Sequence, residues 1–414
     1  MAEPAEPTLG RVLVGLIPMM LALVSLNAAM LIVAPLWGGI ARELGYSEVL
    51  AGVITSATPA LWMLTAPIAG SVSDRIGRRT PLILGVLCAC ASQAVFSLAL
   101  GAGLAGVASD AVVIAGLVGG RALLGVAGGL VTVVGFALAA DRSTPAQRTA
   151  VTATLGGLVG LGSLGGPALA AAASALGADV VLWVMAALPW VAVPALPFLG
   201  PAGVRATSDP GRLPLLDPRV LAISGVVVAG NLALGTADLL LGFLMADLSG
   251  GSLEVSGPLA GGALLTAGLG AIVAQLVLSQ VRVGPRLPLI LGPLLAASAF
   301  GIVAIIRSIP VIFACCALAG IGIGLAMAGW FSGMSLSVED HEQGRVAGRV
   351  QALTSLSYVV SPVLAALAYA AWPALPWILL VPTLLGAAVL AATSGAVRRA
   401  DARALAPAGD ADLG

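Results

Sequence analysis

Apolar residues run along this chain in long blocks, separated by short polar segments rich in arginine, glycine and proline. A helix needs roughly 20 mostly apolar residues to cross a bilayer. Blocks of that length lie near 12–37, 50–72, 81–106, 111–140, 150–176 and 180–200. Six more lie near 220–246, 257–280, 287–306, 310–337, 350–371 and 375–397. The pattern predicts twelve spanning helices. Glycine and proline inside the blocks do not oppose this, because neighbouring helices re-satisfy backbone groups that such residues free.

Composition agrees with the pattern. Of 414 residues, 59% are apolar and 9% charged, with a mean hydropathy of +1.08. A soluble domain runs nearer ~45–50% apolar and ~25% charged. The expected class is an all-α polytopic membrane protein. The opening "MAEPAEPTLGR" has no basic leader and no cleavage site before the apolar run, so it is not expected to be a signal peptide.

Charge then sets the orientation. The chain has no lysine, and its basic residues fall unevenly among the polar segments. Sixteen lie on the side that carries both termini, only Arg42 and Arg307 lie on the other, and Arg121 lies within a span. This positive-inside bias predicts cytoplasmic termini, in a cell inner (cytoplasmic) membrane. The formal net charge is zero, which implies no nucleic-acid partner. The basic loops suit anionic lipid headgroups.

The chain repeats itself. "RIGRRTPLILG" at 75–85 returns as "RVGPRLPLILG" at 282–292, identical at eight of eleven positions and 207 residues later. "RALLGVAGGL" at 121–130 is echoed by "CALAGIGIGL" at 316–325, with five of ten positions identical. These echoes predict two six-helix halves of like topology, residues 1–199 and 220–414. They are joined by a Pro/Gly-rich cytoplasmic linker at 200–219. Parallel repeats of this kind are a transporter architecture.

The segment "GSVSDRIGRRTPL", 70–82, resembles the signature loop of the major facilitator superfamily, G-x-L-a-D-r-x-G-r-r/k-x-x-l. Gly70, Asp74, Arg75, Gly77, Arg78, Arg79 and Leu82 match, with Val72 for the usual Leu. "RALLGVAGG" resembles the family's Arg-x-x-x-Gly motif at Arg121 and Gly125. "GSLGGPALAA" resembles the G-x-x-x-G-P-x-x-G-G motif of its twelve-span drug:proton antiporters at Gly162, Gly166 and Pro167. Ala170, Ala171 and Ala153 stand where that motif usually has glycine. The resemblance implies a two-half fold that works by alternating access, as a monomer, on a small-molecule substrate exchanged with protons. It also implies that Asp74 meets the start of span eleven when the cytoplasmic side closes, making 70–79 a gate loop. A plain positive-inside anchor explains Arg75, Arg78 and Arg79 equally well, but not Asp74 or Gly77. The second copy has Val281 and Pro285 in place of Asp74 and Arg78. It keeps the anchor and loses the latch.

Arg121 in span four and Asp238 in span seven are the two formal charges within the spans. Embedded ionisable residues are costly and mark functional sites. Arg121 and Asn27 fall roughly 15 Å, and Asp238 roughly 12 Å, from their outer helix ends at 1.5 Å per residue. The resemblance implies that spans one, four, seven and ten line a central cavity. Asn27, Arg121, Asn231, Asp238 and Trp330 are therefore candidate substrate residues, with Asp238 and Arg121 the candidates for proton coupling. A static pair, or a carboxylate at the water boundary, is the plainer reading of Asp238. The glycines of span five (Gly156, Gly157, Gly160, Gly162, Gly165 and Gly166) allow close helix approach.

His341 has no second His or Cys at ligand spacing, so no metal site is expected. Cys88, Cys90, Cys315 and Cys316 read as packing residues. No phosphate-binding Gly-x-x-x-x-Gly-Lys loop occurs, so neither a cofactor nor ATP drive is expected. The leading expectation is a proton-coupled exporter of small amphipathic molecules. An importer of a metabolite or organic anion, with Arg121 as the anion site, is the alternative. A membrane-embedded enzyme or sensor is more remote, for lack of a clustered constellation or a soluble module.

Overall fold

The computed structural model describes residues 8–200, 217–281, 283–338 and 342–405. Most of the predicted linker, Arg282 and His341 lie outside them. The described residues are almost wholly helical. Twelve of the helices are long and apolar enough to cross a membrane, as the hydrophobic blocks predicted. The chain is an all-α polytopic membrane protein.

Three spans depart from continuous α-helix. The first runs as α1 (Leu9–Leu31), a 3-10 turn at Ala34–Leu36 and α2 (Trp37–Leu44). Pro35 sits in the turn, where its missing N–H breaks the α ladder. After α3 (Glu48–Ile76) and α4 (Arg79–Leu104), the fourth span is α5 (Asp110–Gly128), a π-turn at Gly129–Val133 and α6 (Val134–Arg142). α7 (Pro145–Ser174) begins at a capping box in which Thr144 and Gln147 satisfy each other's backbone N–H groups. The sixth span starts as α8 (Ala178–Ala187) and ends as a 3-10 helix, Leu188–Phe198. Pro189, Pro194 and Pro197 fall in that stretch and deny it the α-helical bond pattern.

The remaining helices are α9 (Leu221–Ser249), α10 (Leu253–Ser279), α11 (Arg286–Ile305), α12 (Ile309–Ser337), α13 (Gln343–Ala371), α14 (Leu375–Thr393) and α15 (Gly395–Leu405). The last was expected only as a short tail. It is a helix with Val397 and Ala400 buried and its arginines exposed.

Contacts divide the chain into two units. Unit one is Met1–Tyr46, Val53–Ser208 and Ser252–Gly261; unit two is Ser47–Gly52, Asp209–Gly251 and Gly262–Gly414. In unit one, α1 packs on α7 and α4 on α5. Leu16, Leu23, Leu82, Leu124, Val131 and Leu155 are fully or almost fully buried in its core. In unit two, α9 packs on α13, and α11 on both α12 and α14, with Phe300 stacked on Trp377 at 5.8 Å.

The span-five motif is explained by the α1–α7 contact. A Cβ at Gly162 would lie 2.5 Å from the Val24 carbonyl oxygen, and one at Gly166 would lie 2.6 Å from that of Ala28. The two glycines stand about one turn apart and let α7 lie directly on the α1 backbone. Gly156, Gly157, Gly160 and Gly165 do not share that role, since a Cβ there would meet nothing within 4 Å. Only part of the expected glycine face is therefore a packing face.

Candidate functional site: two embedded charges and their surroundings

Arg121 is carried by α5 and is 5% exposed. Both terminal nitrogens of its guanidinium donate to the Met30 carbonyl at 3.4 Å, and its Cζ stands 5.9 Å from the Phe96 ring centre. Its Nε is buried without a partner among the described residues. Its own carbonyl accepts from the Thr58 hydroxyl at 2.9 Å. Close by on α1, Asn27 donates to Leu23 of the same helix at 2.8 Å. Gln93 of α4 donates to Ala29 at 3.1 Å and leaves its Oε1 unsatisfied. Among the described residues, no carboxylate lies within ion-pair distance of Arg121. The buried cation is held by one carbonyl and the face of one aromatic ring.

Asp238 is carried by α9 in unit two and is half-buried. Among the described residues, its carboxylate has neither a hydrogen bond nor an ion pair. Its surroundings follow from the register of α9 and α13. Asn231 donates to the Thr354 hydroxyl at 3.4 Å, and the Tyr369 hydroxyl donates to Asp247 at 2.7 Å. Both contacts join residues 122 or 123 positions apart, so the two helices run parallel in one register. That register brings Ser361 level with Asp238. A Cβ at Gly235 would fall on the Ser361 hydroxyl and within 3.4 Å of the Tyr358 ring. Asn231, Gly235 and Asp238 thus form one face of α9, and Thr354, Tyr358 and Ser361 an answering face of α13.

Trp330 of α12 is buried against Gly230, where a Cβ would stand 2.8 Å from its ring. Its indole Nε1 has no partner among the described residues. The next residue, Phe331, is exposed, with the two ring centres 6.1 Å apart.

The signature loop is built around Arg78. This guanidinium is 3% exposed and holds the Asp74 carboxylate, Asp141 at 3.0 Å and the Ser73 hydroxyl at 2.6 Å. Burial acts to lower the Arg78 pKa, but its bonds to Asp141 and Asp74 and their charges outweigh it and hold the pKa above the ordinary value. Gly77 has a φ of 87°, a left-handed conformation that glycine adopts without penalty, and this turns the chain from α3 into α4. A Cβ at Gly70 would lie 3.8 Å from Val133, the last residue of the π-turn. Arg75 and Arg79 are exposed. The loop's one buried cation therefore ties α3 and α4 to the end of α6. At the second copy, the Arg286 backbone N–H donates to Asp401 of α15 at 3.0 Å, and Asp401 lies against Gly284.

Sequence reasoning did not single out Thr58 or Phe96 around Arg121, Thr354, Tyr358 or Ser361 opposite Asp238, or Asp141 beneath Arg78. Tyr358 carried a usable signal, as one of only three tyrosines in the chain and lying inside a span. The others are common residue types, identified only by which helices touch.

The family model of the Major Facilitator Superfamily matches residues 19–259 and 221–412. The chain belongs to the Major Facilitator Superfamily. It is a multi-pass membrane transporter of that superfamily, not an enzyme. It is similar to the class B tetracycline resistance protein of Escherichia coli, at 25% identity over 82% of this chain and 84% of that protein. It is also similar to the class C protein of the same organism, at 26% identity over 89% of this chain and 92% of that one. Among solved structures, it shares its fold with a bacterial homolog of the human lysosomal transporter Spinster. That protein in its inward-facing, occupied conformation aligns with a TM-score of 0.66 at 15% identity, covering 94% of this chain and 96% of the other. The unoccupied inward-facing form aligns at 0.64 and 14%, over 95% and 97%.

Proposed function

We propose that this superfamily member is a proton-coupled exporter of small, amphipathic, drug-like molecules. It acts as a monomer in the cytoplasmic membrane with both termini inside. Its two halves, 1–199 and 220–414, alternate access about the linker 200–219. The observation that carries the reading is Asp238, a carboxylate in the middle of a spanning helix with no ion-pair or hydrogen-bond partner among the described residues. A carboxylate with a fixed partner is a structural element. One without a partner, half-buried beside hydroxyl groups, is free to gain and lose a proton as its solvation changes. Arg121 supplies a permanent positive charge that does not titrate. Asn27, Arg121, Asn231, Asp238 and Trp330 are the residues we assign to substrate recognition.

Export is supported by similarity to two proteins named for tetracycline resistance, since a membrane transporter confers resistance by keeping a compound out of the cell. The sparse polarity of the spans suits amphipathic compounds better than sugars, whose hydroxyls each need a partner. The gate-loop reading of 70–79 is supported by the buried Arg78 cluster, which ties a glycine turn to the end of α6. A second reading, import of an organic anion, is favoured by the lack of a carboxylate beside Arg121 among the described residues.

The test is accumulation of a panel of lipophilic cations, neutral drugs and organic anions in efflux-deficient cells, with and without this chain, before and after an uncoupler. Lower accumulation that the uncoupler reverses is expected. Higher accumulation of an anion would replace export by import and make Arg121 the anion site.

A further inference from the structure

We propose that α15 and the feet of α9 and α12 form a binding site for the phosphate group of an anionic phospholipid headgroup, held by Arg399 and Arg403. The site lies in unit two and is independent of what the transporter carries. A cavity of about 140 Å³ opens there, with Arg219, Ser337, Arg399 and Arg403 among its lining residues. It offers room for a tetrahedral oxyanion.

The charges are not equivalent. Arg219 is already neutralised, bonding Asp217 at 2.9 Å and Glu342 at 2.7 Å and 3.0 Å. The Arg219 guanidinium holds Asp217 below the usual carboxylate range, so that pair stays ionised. Arg399 and Arg403 are different. Both are exposed, and neither has a carboxylate within ion-pair distance among the described residues. Arg403 donates to the Leu336 carbonyl at 2.9 Å, at the C-terminal end of α12. That bond fixes one arm of the guanidinium and leaves the rest of the fork for a ligand. The one acidic group on α15, Asp401, is engaged with the Arg286 backbone N–H and so anchors the helix to α11.

The shape of α15 argues for a lipid rather than a free ion. Val397 and Ala400 are buried beneath the helix, while Arg398, Arg399, Arg403 and Leu405 are exposed. An amphipathic helix with arginines on its outer face, directly following a spanning helix, suits the headgroup layer. Basic residues there attract anionic lipid at short range. Guanidinium forks match phosphate oxygens in pairs.

The experiment uses the full chain in nanodiscs of equal parts phosphatidylglycerol and phosphatidylcholine. The lipid retained after detergent extraction is counted by native mass spectrometry. Wild type should retain phosphatidylglycerol over phosphatidylcholine, and R399Q/R403Q should lose that preference by roughly thirtyfold, the scale expected for two basic residues at an anionic surface. R11Q/R148Q removes two exposed charges on α1 and α7 and should keep the preference. Equal retention by wild type and R399Q/R403Q, or equal loss in R11Q/R148Q, would overturn the site. Inorganic phosphate, exchanged for chloride at equal ionic strength, should leave the lipid in place. Displacement of the lipid by phosphate would overturn the lipid assignment and give the pocket to a free anion.

Discussion

Arg121 and Asp238 are the same problem solved in two ways. Each is a charge placed in a spanning helix of a chain that is 9% charged overall. Around Arg121 the structure supplies a carbonyl, an aromatic face and near-complete burial, so the cation is fixed in place. Around Asp238 it supplies hydroxyl side chains on α13 but no cation and no hydrogen bond among the described residues. Guanidinium keeps its proton in any protein setting, so holding it costs no function. A carboxylate that must cycle its proton cannot be so firmly held. The difference teaches which charge is an element of architecture and which is a moving part.

The comparison breaks most visibly at Asp238. Asp238→Asn keeps shape and removes titration. It should abolish accumulation against a gradient while leaving downhill exchange of substrate measurable in proteoliposomes. Uphill transport surviving in that variant would make Asp238 another fixed element. Next comes Arg121→Gln, which takes the charge from the Met30 carbonyl and the Phe96 face. Binding or turnover should fall strongly while the pH dependence of residual transport stays where it was, because the titrating group is untouched. Phe96→Leu sharpens the same point with a smaller effect. Loss of a buried cation–π contact is worth about 0.5–2 kcal/mol, read as a lowered unfolding midpoint with uphill transport retained. Tyr358→Phe removes only a hydroxyl near Asp238. It should displace the pH profile of transport; an unmoved profile would separate Tyr358 from the proton step. The smallest change is Asn231→Ala, whose 3.4 Å bond to Thr354 is of the kind worth about 0.6 kcal/mol in membranes.

The helices and the two charges were readable from the chain because each depends on local sequence. A run of apolar residues is a span wherever it sits, and Arg121 or Asp238 within such a run is conspicuous by contrast. The charges' partners were not readable. That Met30 and Phe96 hold Arg121 depends on how α1, α4 and α5 pack, and no periodicity in one helix announces its neighbour. The α9–α13 register is of the same kind: the Asn231, Gly235, Asp238 spacing shows a face, but not that Thr354, Tyr358 and Ser361 answer it. The repeat misleads in one respect. Arg79 and Arg286 occupy matching places, yet the first loop is organised by Arg78 on Asp74 and Asp141, whereas the second rests on Asp401 of α15. The 3-10 stretch at Leu188–Phe198 was in principle legible, since Pro189, Pro194 and Pro197 are written in the sequence. Hydropathy alone passes over them.

Proton movement itself gives the most direct test. The full chain and its Asp238→Asn variant would be reconstituted in liposomes enclosing a pH-sensitive dye, with a substrate from the accumulation panel added on one side. Wild type should show substrate-dependent proton flux against the direction of substrate movement, and the variant should show none while still exchanging substrate. Equal proton flux in both would contradict Asp238 as the carrier.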